Sequence, residues 1–168
     1  MGEMAKKIAK LDVEHLLETL NAAFAEEWLA YYQYWMGGKV AIGLQRTEVV
    51  REFFEHADEE LKHAGWLADR IIQLGGTPLL NPAEWEEVAH CRYAEPQNFD
   101  VWALLQDNLE AERCAIGRYE AICGMTHGKD YETFRMAEKI LKEEIEHEQE
   151  LEDFTADAEN ARKFITKE

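Results

Sequence analysis

The sequence predicts an all-α fold: a four-helix bundle whose two halves are joined by a long crossover containing a short helix. Three observations carry that prediction. Four long segments place apolar residues at helical spacing, two Glu-x-x-His pairs recur in the second and fourth of these, and all the prolines fall in one connection. The 168 residues, 46% of them hydrophobic, can bury one sizeable core and leave no room for another, so residues 1–168 read as a single domain.

The first long helix is expected at about 13–38, behind Asp12 as N-cap, with Leu16, Leu20, Phe24, Glu27, Tyr31 and Tyr34 along one stripe. The second covers about 47–73, turns Phe53, His56, Glu60, His63, Leu67 and Ile71 inward, and stops at Gly75-Gly76. Pro78, Pro82 and Pro96 mark the crossover, in which Asn81-Pro82 reads as the cap and first turn of a short helix at about 82–89. The third long helix is expected at about 100–126. Gly128-Lys129-Asp130 turns the chain into the fourth, about 131–164, which carries Ile140, Glu144, His147, Leu151 and Phe154 on one face. Short turns make the helices of each pair antiparallel, and a structured crossover supplies the length that one parallel pairing requires.

Charge excludes several functions. A formal net charge of −17 attracts cations rather than nucleic acid, and Lys6, Lys7 and Lys10 are too few to make a DNA-binding tail against it. No apolar run reaches the length that spans a bilayer, and none follows the N-terminal lysines, so cytoplasmic residence with no membrane partner is the default. The three cysteines are too scattered for a secreted disulfide scaffold and form no Cys-x-x-Cys metal site.

The chemistry lies in Glu60-Leu61-Lys62-His63 and Glu144-Ile145-Glu146-His147. Residues three apart share a helix face, so each pair offers a carboxylate and an imidazole to one point. Glu27 and Glu112 precede the pairs by 33 and 32 residues, as if one helical hairpin occurred twice. All four glutamates fall at the same depth, about 20 Å into their helices at a rise of 1.5 Å per residue. Four carboxylates and two imidazoles inside a bundle form the ligand set of a di-iron or di-manganese centre. Most glutamates of the fourth helix make a solvated face; only Glu144 and His147 are in phase with Ile140, Leu151 and Phe154, and an unpaired carboxylate there is costly. Glu26 and Glu110 are rivals for the terminal positions, with less apolar neighbours on the helical wheel. His56, one turn before Glu60, reads as a supporting or core histidine rather than a ligand. The aromatic band of Tyr31, Tyr34, Trp35, Trp66 and Tyr119 reads as packing, with Tyr34 equally able to approach the metals.

The blocks around Glu27-Trp28, Glu60 to Ala64, Leu109 to Ile116 and Ile140 to His147 resemble the ferritin-like superfamily with a bacterioferritin-type ligand pattern, and more narrowly the Dps-like proteins called thioferritins. The resemblance covers nearly the whole chain. It implies an iron-oxidising mini-ferritin that consumes hydrogen peroxide and assembles as a hollow dodecamer. In chemical terms Glu60 and Glu144 would bridge two iron ions, Glu27 and Glu112 would cap them, and His63 and His147 would supply one imidazole each. A peroxidase or manganese catalase that stores nothing would use the same ligands. Haem is not expected, because Leu61 stands where bacterioferritins carry the haem-binding methionine. The run through Lys167 without a breaker favours the smaller cage over bundles with a fifth helix.

The cysteines divide the two lines of reading. Cys114 lies about 200° round the helix from Glu112 and can face the crossover segment that holds Cys91, where two reduced, packed thiols are the ordinary outcome. The resemblance to thioferritins implies instead that Cys91 and Cys114 form a reversible disulfide, with Cys123 left out.

Overall fold

The computed structural model describes residues 3–165. The outermost positions of the expected domain, including the end of the run to Lys167, lie outside the described residues. A short helix α1 (Glu3–Ile8) precedes four long ones: α2 (Val13–Val40), α3 (Arg46–Gln73), α5 (Val101–Thr126) and α6 (Tyr131–Ile165). In the crossover a 3-10 turn at Pro82–Glu84 runs into α4 (Trp85–Val88). The expected helices are found to within about two residues; α1 was not foreseen, since it buries nothing and so leaves no apolar periodicity to read. Among the described residues no helix is long and apolar enough to cross a membrane.

The ends follow local chemistry. Asp12 accepts from the backbone N–H groups of Glu14 and His15, and Asn81 caps the crossover turn through Ala83. Each satisfies donors that a helix start otherwise leaves bare. Between α2 and α3 the chain turns through Gly43 at φ 112°, where a side chain would strike the Asp100 carboxylate at 2.7 Å. That crowding arises because Ile42 pairs with the segment leading into α5: its N–H donates to Phe99 and its carbonyl accepts from Val101, at 2.8 and 2.9 Å. The starts of α3 and α5 therefore lie at the same end of the bundle, and the two helices run parallel, as the long crossover requires.

The core has two apolar layers. One, around Leu16, Leu20, Leu67, Ile71, Ile122 and Ile140, fills the end nearer the crossover's start; the other, around Val49, Phe53, Leu104, Leu105 and Leu151, fills the opposite end. Between them, at mid-helix, the buried residues become carboxylates and imidazoles. Burial against these layers excludes water from that level and fixes its side chains, since apolar area removed from water is worth about 25 cal/mol per Å².

Candidate metal centre

Each of the four long helices contributes to the polar level. Glu27 comes from α2, Glu60 and His63 from α3, Glu112 from α5, and Glu144 and His147 from α6, and none is more than 3% exposed. Their donor atoms form two groups, each within 4.8 Å: Glu27, Glu60, His63 and Glu144 in one, Glu60, Glu112, Glu144 and His147 in the other. Glu60 and Glu144 belong to both. In the first group His63 Nδ1 stands 3.2 Å from carboxylate oxygens of Glu27, Glu60 and Glu144 alike. In the second, His147 Nδ1 stands 3.3, 3.5 and 3.6 Å from oxygens of Glu144, Glu60 and Glu112.

The remaining bonds cross between the hairpins. The outer nitrogen of His63 donates to Glu143 at 2.9 Å, and that of His147 donates to Glu59 at 2.8 Å. Those bonds keep a proton on Nε2 and turn Nδ1 inward, so that losing the Nδ1 proton would present a lone pair to a metal. Tyr34 donates to Glu112, and Tyr119 donates to Glu27. The pattern is two-fold: Tyr34 follows Glu27 by seven positions as Tyr119 follows Glu112, and Glu59 precedes Glu60 as Glu143 precedes Glu144. Tyr119 is expected from the sequence mainly to pack and Glu143 to be solvated, and Glu59 is not singled out. The same seven-residue interval in both hairpins was the sequence signal for the tyrosines.

Without an ion the site holds its charge in a strained balance. Burial, and then the neighbouring Glu60, push the Glu27 carboxyl well above the carboxylate range; burial and then Glu144 do the same to Glu112. Burial also works against Glu60 and Glu144, but the His147 and His63 rings facing them outweigh it and hold both carboxyls below their ordinary range. Burial opposes the charged imidazoles too, yet the carboxylates around His63 and His147 raise both well above the usual histidine range. Even so, both oxygens of Glu144, Oε2 of Glu27 and Nδ1 of His147 are buried without a hydrogen-bond partner. Unpaired buried donors and acceptors converging on two points fit divalent cations.

The other candidates fall around this centre. His56 is buried, stacks on His147 with ring centroids 4.0 Å apart, and meets Tyr34 edge-on. Burial and then His147 hold its pKa down. Glu26, thought to have the less apolar setting, is in fact buried, but it faces away from the centre. Its carboxylate takes Arg118 at 2.7 and 2.9 Å and the N–H groups of His90 and Cys91 at 2.7 and 3.3 Å, which ties the crossover to α2 and α5. Glu110 is exposed and pairs with Arg113. Cys91 and Cys114 are joined as a disulfide with Cα atoms 5.8 Å apart, and Cys123 is free. A cavity of about 30 Å³ lies between the Cys91 side and the carboxylates of Glu27, Glu60 and Glu112, room for a molecule of water or peroxide.

Comparison with known proteins places this arrangement. A model of the ferritin-like domain matches residues 17–161. The chain is 43% identical over 140 residues to the DNA protection during starvation protein of Pyrococcus furiosus, covering 82% of this chain and 75% of that protein. Its structure is similar to that of the bacterioferritin-related protein from Bacteroides fragilis, described as a dodecameric thioferritin, with a TM-score of 0.95 and 50% identity over 96% of this chain and 98% of that one. Dps from Thermosynechococcus elongatus, at 20% identity, shares the fold with a TM-score of 0.80 over 84% and 90% of the two chains. The chain belongs to the ferritin-like family, as a Dps homologue related to the thioferritins.

Proposed function

We propose that this protein is a cytoplasmic mini-ferritin of one domain, residues 1–168, that oxidises Fe(II) at an intra-subunit di-iron centre and stores the ferric product in a dodecameric cage. Membership of the ferritin-like family supports iron storage and protection against oxidative stress. The observation that carries the finer reading is the pair of buried ligand groups sharing Glu60 and Glu144. Shared carboxylates hold two ions roughly 3.5 to 4 Å apart. Hard carboxylate oxygens with one imidazole per ion suit iron, and manganese equally by donor type.

Two Fe(II) ions held side by side supply two electrons together, the number that splits the O–O bond of hydrogen peroxide without freeing a hydroxyl radical. Peroxide is therefore the proposed preferred oxidant, and the cavity beside Cys91 its approach to the carboxylates. Glu60 and Glu144 would be shared by two ions, Glu27 and Glu112 would each serve one, and Tyr34 and Tyr119 hold the latter two carboxyls in place. Glu59 and Glu143 keep the two imidazoles oriented. Cys91, which lines the cavity, serves with Cys114 as a redox pair. The net charge of −17 disfavours DNA as a partner.

The test is anaerobic Fe(II) loading followed by peroxide or dioxygen, with Glu60→Ala and Glu144→Ala beside the parent. Rapid oxidation should be faster with peroxide and lost in both variants, while hundreds of iron atoms accumulate per parent particle. Parental rates in either variant would refute the site, and turnover without accumulation would favour a peroxidase or manganese catalase. Light scattering should give about 230 kDa, twelve chains of 19.5 kDa.

A further inference from the structure

The two-fold pattern of the centre breaks beside His147. Positions in α3 map onto α6 with the shift that carries Glu60 to Glu144, and under it Glu52, His56 and Glu150 correspond to Met136, Ile140 and Trp66. The two flanks of the centre are thus chemically opposite. Beside His63 the flank is apolar: Ile140 is fully buried, and Trp66 lies 5.5 Å from the imidazole with the Lys139 ammonium 3.6 Å over its ring. Beside His147 the same positions carry two carboxylates and an imidazole, with donor atoms all within 4.8 Å of one another. The outer nitrogen of His56 stands 2.9 Å from Glu150 and 3.6 Å from Glu52.

We infer that Glu52, His56 and Glu150 form a third divalent-cation site, an outer station through which Fe(II) reaches the His147 half of the centre. Packing alone does not call for these residues, since the symmetry-related places are filled by apolar side chains. The three side chains grade from solvent inward: Glu150 is half exposed, Glu52 is 14% exposed and His56 is 2% exposed. His56 also joins a group with Glu112 and His147 whose donor atoms lie within 4.8 Å, so one imidazole borders the outer and the inner positions. Its Nδ1 is buried and has no hydrogen-bond partner. Two carboxylates against a single imidazole nitrogen leave an excess of negative charge that a divalent cation neutralises. Oxygen and nitrogen donors at a half-exposed position suit a borderline ion held weakly enough to move on.

The test uses Zn(II), which binds such donors without redox chemistry, soaked into crystals and located by anomalous scattering, with zinc counted in solution. The parent should show three ions per chain, and Glu52→Gln combined with Glu150→Gln should show two, losing only the peak beside His56. Both substitutions keep side-chain volume on the solvent side of α3 and α6, so the bundle survives them. An outer position that stays empty while the inner two fill would overturn the inference, as would an outer peak that persists in the double variant. The outer peak is read at its own position, so empty inner sites would count against the di-metal reading and not against this one.

Discussion

Loading the centre with two divalent ions should expel about four protons per chain. In the ion-free protein Glu60 and Glu144 are ionised, Glu27 and Glu112 are held protonated, and His63 and His147 are held as imidazolium, so the six groups sum to zero charge. As ligands all four carboxylates must be ionised and both imidazoles neutral at Nδ1; with two divalent ions the sum is again zero. Two protons leave the carboxyls and two leave the imidazoles. The buried level thus exchanges cations for protons without a net change of charge, which is what an interior between two apolar layers can accommodate. Linkage fixes the sign: binding releases protons, so affinity rises with pH, by about four log units per pH unit for the pair, or about 5.5 kcal/mol. Zinc titration of the ion-free protein in weakly buffered solution near neutral pH, with an indicator dye, measures the count directly. The same titration with Glu27→Gln and Glu112→Gln should release about two. A parental release of two or fewer, or an affinity flat in pH, would refute the assignment of protons and with it the account of how the site stands without metal.

Three further outcomes are expected. The double variant Glu27→Gln and Glu112→Gln should fold without metal to within about 1 kcal/mol of the parent in denaturant, because an amide replaces a carboxyl already neutral; a large loss would show that these groups are ionised. Arg70 is buried with Asp130, donating to both its oxygens at 2.7 and 2.8 Å, so Arg70→Met should cost about 3 to 5 kcal/mol in thermal or chemical unfolding. Despite burial, Thr133 and Arg70 lower the Asp130 pKa, so this pair stabilises above the ordinary carboxyl range and its contribution is lost as pH falls below it; the Arg70→Met penalty should shrink in acid. Thiol titration of the unfolded chain should find one free thiol before reduction and three after, and reduction should lower stability by about 3 kcal/mol for a loop of 23 residues; three thiols at the start, in protein prepared without reductant, would return Cys91 and Cys114 to the role of packing.

The metal ligands were legible because two constraints coincided at each: helical phase with an apolar stripe, and a similar depth from the helix start, as from Asp12 to Glu27. The helix boundaries were legible for the same reason, through capping side chains and Gly75, Gly76 and Gly128. What the sequence concealed were residues whose partners come from another helix. Glu26 neighbours Glu27 and has an unremarkable wheel position; its burial depends on Arg118 and on the backbone of a loop far along the chain. Tyr119 and Tyr34 sit on their own stripes as good core residues, and only the antiparallel crossing of α2 with α5 shows that each hydroxyl meets a carboxylate of the opposite hairpin. Glu59 and Glu143 look like surface charge until the facing histidine is placed.

The crossed bonds have a consequence for assembly of the bundle itself. Neither hairpin, α2 with α3 or α5 with α6, can complete a ligand group, since each group takes a carboxylate from the other half. A docking error of one helical turn, about 5.4 Å, would keep apolar faces together and so cost little in buried area. That same slip would separate Tyr34 from Glu112, Tyr119 from Glu27, Glu59 from His147 and Glu143 from His63 all at once, leaving charges stranded in the interior. The polar level therefore acts as a key for alignment: greasy surfaces bring the hairpins together, and the key admits a single setting between them.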